Sequence, residues 1–331
     1  MIVRRDNMQN IEVSVIIVNY NAGDYLSRCI LSILDQSLTS FEIIVIDNAS
    51  IDTSINNIPP DPRIKCIKNP QNLGFAKAQN QGIRISHAPF VVPLNFDIIL
   101  EKSFLEAMII AISRSEDIGM VAPKMLQMSY LFEKSNRLDN AGLLLPANRV
   151  PLHRGKAEFD NGQYNDSLIV FGAMGAAALY RKKMLEDIAY RDQYFDERYF
   201  MWYEDIDLNW RAYLKGWDCV YAPQAVVYHV GDVHGHGKSN LGARISIRNR
   251  WRTILTNECI KYLFLHFPQL AKHEIATIRH IVKNHLFKEY FWAILSFFSL
   301  LPDSINKRHA VQSRAKNHCL PNFPKAITSQ E

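Results

Sequence analysis

The sequence has no CxxC pair and no cysteine–histidine cluster. Its five cysteines, Cys29, Cys66, Cys219, Cys259 and Cys319, are scattered and odd in number. That argues against a secreted disulfide framework and fits reduced thiols in a cytoplasmic protein. Glycine is missing where a dinucleotide site needs it. The first apolar run leads into "NYNAGDYL", with one glycine and no G-x-G-x-x-G, and no P-loop occurs in the chain. A Rossmann dehydrogenase, which brings backbone up to a pyrophosphate at those glycines, is therefore set aside. No secretory leader is visible: "IEVSVIIV" is short, carries Glu12 and lacks a cleavage-type tail, so it reads as a buried first strand. Internal repeats and low-complexity tracts are also absent.

What is present is a chain of 331 residues, 48% apolar and 21% charged, enough to build a large soluble core rather than a disordered segment. The net charge of +5 hides an asymmetry. Residues 238–331 hold fifteen Lys and Arg against five Asp and Glu, about +10, and the remainder is about −5. Through the first half, short apolar runs (13–18, 41–47, 63–68, 90–94, 118–123) alternate with helical patterns (24–36, 75–86, 102–115). Runs of that length, bounded by Asn, Asp and Pro, predict βαβ units and a mostly parallel sheet, an α/β fold.

The second half is less regular. Residues 168–185 read as a strand with small residues followed by a helix start, and 203–218 as a helix ended by Gly216. "CVYAP" and "AVVYHV" read as two strands, "GDVHGHGKSNLG" (231–242) as a flexible loop, and the chain from Ala243 onward as helical. "LFKEYFWAILSFFSLL" (286–301) is shorter than the roughly 20 residues of a membrane span, and Lys288 and Glu289 interrupt it. With Lys283, Lys307, Arg308 and Arg314 nearby it reads as an interfacial helix on an anionic leaflet, or as a core-packing terminal helix. Its apolar block suits lipid better than nucleic acid, which is not an expected partner.

Asp97 is the oddest residue of the first half. It sits alone in "PFVVPLNFDIIL", where folding would strip its water at a cost of several kcal/mol unless a partner compensates. Taken with "VSVIIVNYN" (13–21), "EIIVIDNASID" (42–52), "NLGFAKAQNQGI" (72–83), "FGAMGAAALYRKKML" (171–185), "FDERYFMWYEDIDLNWRAYLKGW" (195–217) and "YHVGDVHG" (228–235), the stretch completes an ordered set. That set resembles the inverting family 2 glycosyltransferases, in particular their bacterial rhamnosyltransferase-like branch. Each motif alone is weak; their order over about residues 13–240 is specific.

The resemblance implies a GT-A fold over 1–240, with a donor half of about 1–123 and an acceptor half of about 124–240. A basic helical region over 241–331 would follow. It implies a nucleoside-diphosphate-sugar donor, such as dTDP-rhamnose, and a glycan or lipid-linked acceptor. The work would be cell-envelope polysaccharide synthesis of the O-antigen kind, at the cytoplasmic face of the membrane. Val18, Asn19 and Asn21 would meet the base and ribose. Asp47 would accept hydrogen bonds from the base or ribose, unless it only caps its own turn. "NLGFAKAQNQG" would face the diphosphate at a helix N-terminus, offering Asn72, Gly74, Lys77 and Asn80. Lys77 reads equally well as a solvated lysine, and Ala78 stands where many relatives have glycine.

"Asn-Phe-Asp" takes the place of the family's Asp-x-Asp element, usually Asn-Pro-Asp in this branch. Asp97 would then hold Mg²⁺ or Mn²⁺ with His229 as second ligand and Asn95 beside them, hard cations preferring oxygen ligands and phosphates. The alternative is Asp97 as a cap for helix 102–115. Glu204-Asp205 would supply the general base, Asp205 first and Glu204 second; alternatively both complement a helix dipole. Trp202 and Tyr203 would stack on an acceptor sugar or pack in the core, and Gly172, Ala173 and Gly175 would let the sheet approach the donor sugar or the acceptor. Asp207 and Arg211 read as a helix-surface pair. His234 and His236 extend His229 to H-x₄-H-x-H, but glycines separate them and no third fixed ligand joins, so a mobile lid is expected rather than a zinc site. A non-catalytic nucleotide-sugar-binding scaffold is the competing reading, against which the intact Glu204-Asp205 pair argues.

Overall fold

The computed structural model describes residues 11–231, 233 and 239–317. Strands β1 (Val13–Asn19), β2 (Phe41–Asp47) and β3 (Ile64–Lys68) form in chain order, joined between β1 and β2 by helix α1 (Asp24–Leu34). Helix α2 (Phe75–Ile85) leads to β4 (Phe90–Leu94) and the short β5 (Ile98–Leu100), and helix α3 (Phe104–Ile112) to the long β6 (Ile118–Met128). There follow β7 (Lys134–Asn140), a small hairpin of β8 (Leu143–Leu144) and β9 (Leu152–His153), then β10 (Ile169–Val170), β11 (Leu179–Arg181) and α4 (Lys182–Asp187). Helix α5 (Glu204–Lys215) and strand β12 (Asp218–His229) complete the sheet, which runs β10-β12-β6-β11-β4-β1-β2-β3, with β5 on β12 and β7 on β6.

Strands β1, β2, β3 and β4 are mutually parallel. β11 is antiparallel to both β4 and β6, so β6 and its parallel partner β12 run the same way as the first four. All six therefore end on one edge, where sheets of this kind bind ligands. The apolar runs are continuous because both faces are covered. Val15, Ile17, Ile43 and Val45 pack under α1 and α3, whereas Ile16, Ile44 and Ile46 pack under α2, α4 and α5.

Two readings of the second half change. "CVYAP" and "AVVYHV" are one strand, β12, and Pro223-Gln224-Ala225 are absorbed as an irregularity against β6. Most of the small-residue stretch 171–178 lies between β10 and β11 as loop rather than strand.

Beyond the sheet lie α6 (Asn240–Asn257), α7 (Ile260–Leu265), α8 (Phe267–Lys283), α9 (Phe287–Ser299) and α10 (Leu301–Gln312). Segment 286–301 packs on α6 along one side and leaves large apolar side chains exposed along the other. Tyr290 and Phe297 of α9 meet Trp251 of α6 edge-on at 5.7 and 5.6 Å, while Phe287, Phe291, Leu295 and Phe298 remain exposed.

Buried charge ties α6 and α10 to each other, to α5 and to the loop before α5. Lys307 of α10 lies 2.8 Å from both Asp196 and Asp207, and Arg252 of α6 lies 2.7 Å from Asp196 and 2.8 Å from Asp303. Asp207 and Arg211 do pair at 2.8 Å, but inside this network and fully buried, not on a helix surface.

Candidate active site

The strand ends build one wall. β5 pairs antiparallel with the end of β12, setting Ile98 opposite His229 and bringing Asp97 beside the imidazole. The Asp97 carboxylate, 5% exposed, accepts from the Gly231 N–H at 3.0 Å, and its Oδ2 lies 3.5 Å from His229 Nε2. The other ring nitrogen, Nδ1, lies 2.8 Å from Asp139 Oδ2 on β7. Burial alone would push His229 down, but the hydrogen bond to Asp139 and the charge of Asp97 hold its pKa above the usual value. Asp97 does not cap the following helix: α3 starts at Phe104 behind Ser103, and no side chain caps it.

The opposite wall is the start of α5. Glu204 is buried and its Oε2 has no hydrogen-bond partner. Burial, and next the neighbouring Asp205 charge, push its pKa well above the carboxylate range. Asp205 is also raised by burial, but it accepts from Gly175 N at 3.0 Å and from Ile206 N at 2.8 Å, and both donors favour its charged form. Both acids are thus pushed up by burial, and the N–H groups of Gly175 and Ile206 offset part of that push at Asp205. A Cβ on Gly175 would stand 3.2 Å from Asp205 Cβ, so glycine is what lets that loop donate here.

The loop entering α5 is strained. Phe200, Trp202 and Tyr203 adopt φ of 66°, 61° and 67°, which side-chain-bearing residues seldom do. Side chains of α6 hold them: Asn249 Nδ2 lies 3.0, 2.9 and 2.8 Å from the carbonyls of Tyr199, Met201 and Trp202, and Arg248 also donates to the Tyr199 carbonyl at 3.1 Å. Gly74, at φ 82°, leaves space for Phe200; a Cβ there would lie 2.4 Å from the ring.

Between the walls lies a cleft of about 1330 Å³. Of the residues anticipated from sequence, Val18, Asn72, Gly74, Asn95, Asp97, Trp202, Glu204, Asp205 and His229 line it. The others stand behind it. Asn19 donates to Asp47 at 2.8 Å, and Asn21 clasps the Ser50-Ile51 turn, so these polar groups shape the β1–β2 edge. Asn80 is spent on both backbone groups of Phe195. Lys77 is exposed on α2, outside the cleft. Gly172 and Ala173 do not line the cleft. A Cβ on Gly172 would meet Asn209 at 2.4 Å, and Asn209 Nδ2 donates to the Ala173 carbonyl, so both pack on α5 and the cleft begins at Met174. His234 and His236, with most of the anticipated lid, lie outside the described residues.

Sequence reading missed four groups of lining or supporting residues. Tyr20 and Asn48 line the cleft just beyond the ends of β1 and β2, as do His153 at the end of β9 and Lys156 after it. Asp139 and Asn249 support His229 and the strained loop. Finally, α6, α8 and α9 supply a whole wall, through Leu241, Ile247, Ala276, Ile281 and Tyr290. Tyr20 and Asn48 sit inside the motifs "VSVIIVNYN" and "EIIVIDNASID", which could have flagged them; the rest belong to no local motif, and only "FMWYED", with bulky residues before two acids, hinted at an unusual turn.

Residues 14–189, just over half the chain, match "Glycosyl transferase family 2". The chain belongs to that family. It is 22% identical over 283 residues to the poly-beta-1,6-N-acetyl-D-glucosamine synthase of Staphylococcus epidermidis, an alignment covering 82% of this chain and 64% of that one. The chain spans 34% and 64% of the lengths of two curated relatives it matches. Its fold is similar to that of GalNAc-T7 solved with UDP, GalNAc and Mn²⁺ (TM-score 0.60, 14% identity, covering 77% of this chain and 49% of that one). It is likewise similar to the mannosyltransferase PcManGT from Pyrobaculum calidifontis in complex with GDP-Man and Mn²⁺ (TM-score 0.56, 14% identity, covering 96% and 84%). The GT-A architecture expected of this family 2 member is thereby established; the rhamnosyltransferase branch is not.

Proposed function

We propose that this family 2 protein is an inverting, metal-dependent glycosyltransferase. It would move a sugar from a nucleoside-diphosphate sugar to a glycan or lipid-linked acceptor in cell-envelope polysaccharide synthesis. The observation carrying the proposal is that Asp97 and His229 face the same cleft as Glu204 and Asp205. dTDP-rhamnose is the donor that the sequence resemblance points to, for an O-antigen-type polymer. In this reading Val18, Asn72, Gly74 and Asn95 shape the donor side, and the region over 241–331 completes the acceptor side of a GT-A domain spanning 1–240.

Asp97 Oδ2 and His229 Nε2 fit a divalent cation. Both are buried on the cleft wall, and oxygen and imidazole nitrogen suit Mn²⁺ or Mg²⁺. Two protein ligands also leave room for diphosphate oxygens. Among the described residues no cluster of three or more such side chains competes with them. When bound, the cation offsets charge on the departing nucleoside diphosphate. Asp205 takes the proton of the acceptor hydroxyl as that oxygen bonds to the anomeric carbon and the bond to the diphosphate breaks on the opposite face. Glu204, protonated, adds no second negative charge, and Trp202 offers its ring to the acceptor.

The outer faces of the C-terminal helices support peripheral membrane contact. Phe267, Ile275, Ile278 and Val282 form an exposed apolar stripe on α8, and the spacing of Lys272, Arg279 and Lys283 places an exposed basic stripe beside it. No helix among the described residues is long and apolar enough to cross a membrane. The proposed location is the inner face of the cell membrane, with the acceptor reaching the cleft from that side.

The test is nucleotide release and sugar transfer with a panel of donors and Mn²⁺, comparing wild type with Asp97→Asn and Asp205→Asn. Both variants should fold and lose transfer. Full activity in both sinks the proposal, and donor binding without turnover in the wild type favours a scaffold.

A further inference from the structure

Asp139 has no place in any recognised motif, yet it makes a short polar contact, 2.8 Å, to His229 of the site. It lies on β7, ninety residues before His229. β7 and β12 both pair with β6, so the Asp139 side chain reaches across the strand between them. The contact is short, 2.8 Å from Nδ1 to Oδ2, and the imidazole is 7% exposed. The support behind Asp139 is rigid. The next residue, Asn140, accepts from Gly142 N through its side chain and pairs with Met125 of β6.

We propose that Asp139 is a positioning residue for the donor site, fixing the His229 ring so that Nε2 faces Asp97. The inference rests on the metal-dependent reading given above. An ionised carboxylate can only accept, so its contact places a hydrogen on Nδ1 and leaves Nε2 as the nitrogen able to ligate. The same bond sets the ring's rotation, with Nε2 pointing at Asp97 Oδ2 3.5 Å away. Asp97 is set from its own side by the Gly231 N–H. Three segments distant in sequence thus converge on two ligand atoms, and Asp139 holds the one whose orientation the backbone alone would leave free.

The experiment uses the full chain and measures Mn²⁺ binding by electron paramagnetic resonance, with UDP and separately with dTDP. Asp139→Ala should weaken Mn²⁺ by about 10–100-fold, leaving metal-free nucleotide binding unchanged. Asp139→Asn, whose amide oxygen still accepts from Nδ1, should recover part of that loss. In a His229→Ala background, Asp139→Ala should cost nothing further, because the effect runs through the ring. A second readout needs no metal. Nitrogen-15 spectra of labelled histidine, with His229→Ala to assign the signal, should show Nδ1 protonated in wild type and a changed tautomer balance in Asp139→Ala. If Asp139→Ala binds Mn²⁺ as wild type does while Asp97→Asn and His229→Ala bind it poorly, the positioning role fails and the metal site stands. If Asp97→Asn and His229→Ala also bind it normally, the metal site itself falls.

Discussion

Asn249 is the residue whose removal tests the assembly most directly. Its amide nitrogen carries two hydrogens and serves three carbonyls, at 3.0, 2.9 and 2.8 Å. The residue is fully buried, so water cannot replace it at once. In Asn249→Ala at least two carbonyls lose their donor. A buried polar group left unpaired costs about 1–3 kcal/mol, and partial relaxation of the loop returns some of that. We expect a net loss of about 2–4 kcal/mol, or about 3–6 °C in Tm for a chain of this length.

The loop would not relax neutrally. Phe200, Trp202 and Tyr203, each at positive φ, would drift toward ordinary backbone and carry Glu204 and Asp205 with them. A displacement near 1 Å at the base costs on the order of 100-fold in rate, so kcat should fall well beyond what the lost stability explains. Asn249→Asp supplies the discriminating arm, because a carboxylate of the same shape faces three carbonyls as a further acceptor. The order of stability should be wild type, then Ala, then Asp. Thermal unfolding by calorimetry and initial rates at a temperature where all three are folded would read both effects. If Asp is as stable and active as Asn, the residue fills space and the clamp argument is wrong.

Three further outcomes are expected. Lys307→Met should cost about 3–5 kcal/mol, because it leaves Asp196 and Asp207 partly unpaired in the interior. Both acids have pKa values held low, against burial, by Lys307 and by Arg252 or Arg211. Their contribution is therefore present above the unfolded value of about 4 and lost as pH falls through the folded values, so urea titrations should show the variant gap narrowing in acid. Glu204→Gln mimics the protonated acid and should keep most activity, while Asp205→Asn loses it. Because burial raises Asp205, the acid limb of the kcat–pH profile should lie above the usual carboxylate range, and the reverse ranking of the two variants would move the base to Glu204. Reversing Lys272, Arg279 and Lys283 to Glu should weaken co-sedimentation with anionic vesicles by at least about 100-fold, taking about 1 kcal/mol per basic residue. It should leave transfer to a soluble acceptor intact, and unchanged vesicle binding would remove the α8 stripe as a membrane contact.

How much of this was legible beforehand depended on the distance over which each signal acts. The apolar runs at 13–18, 41–47 and 90–94 and the helix stop at Gly216 are local, set by side-chain periodicity and backbone conformation, and they appear as read. The glycosyltransferase resemblance was likewise legible, because Asp97, Glu204-Asp205 and His229 each sit in a short ordered motif. Asn80, Gly172 and Ala173 also sit in motifs, but those motifs could not say that the residues face Phe195 and Asn209 rather than a ligand. Pro223 suggested a break that β6 overrode, since a twelve-residue strand keeps its ladder by absorbing the irregularity between Ala222 and Val226.

The sequence by itself determined the alternating α/β elements, the parallel sheet and the order of the motifs, because these follow from periodicity and nearest neighbours along the chain. The tertiary structure alone decided that Asp139 meets His229, that Asn249 binds the loop before Glu204-Asp205, and that α6, α8 and α9 form a wall of the cleft. It also decided that Lys307 is buried between two acids. Each of these is a contact between segments tens of residues apart or more, and no pattern along one chain encodes which buried polar groups will meet until packing brings those segments together.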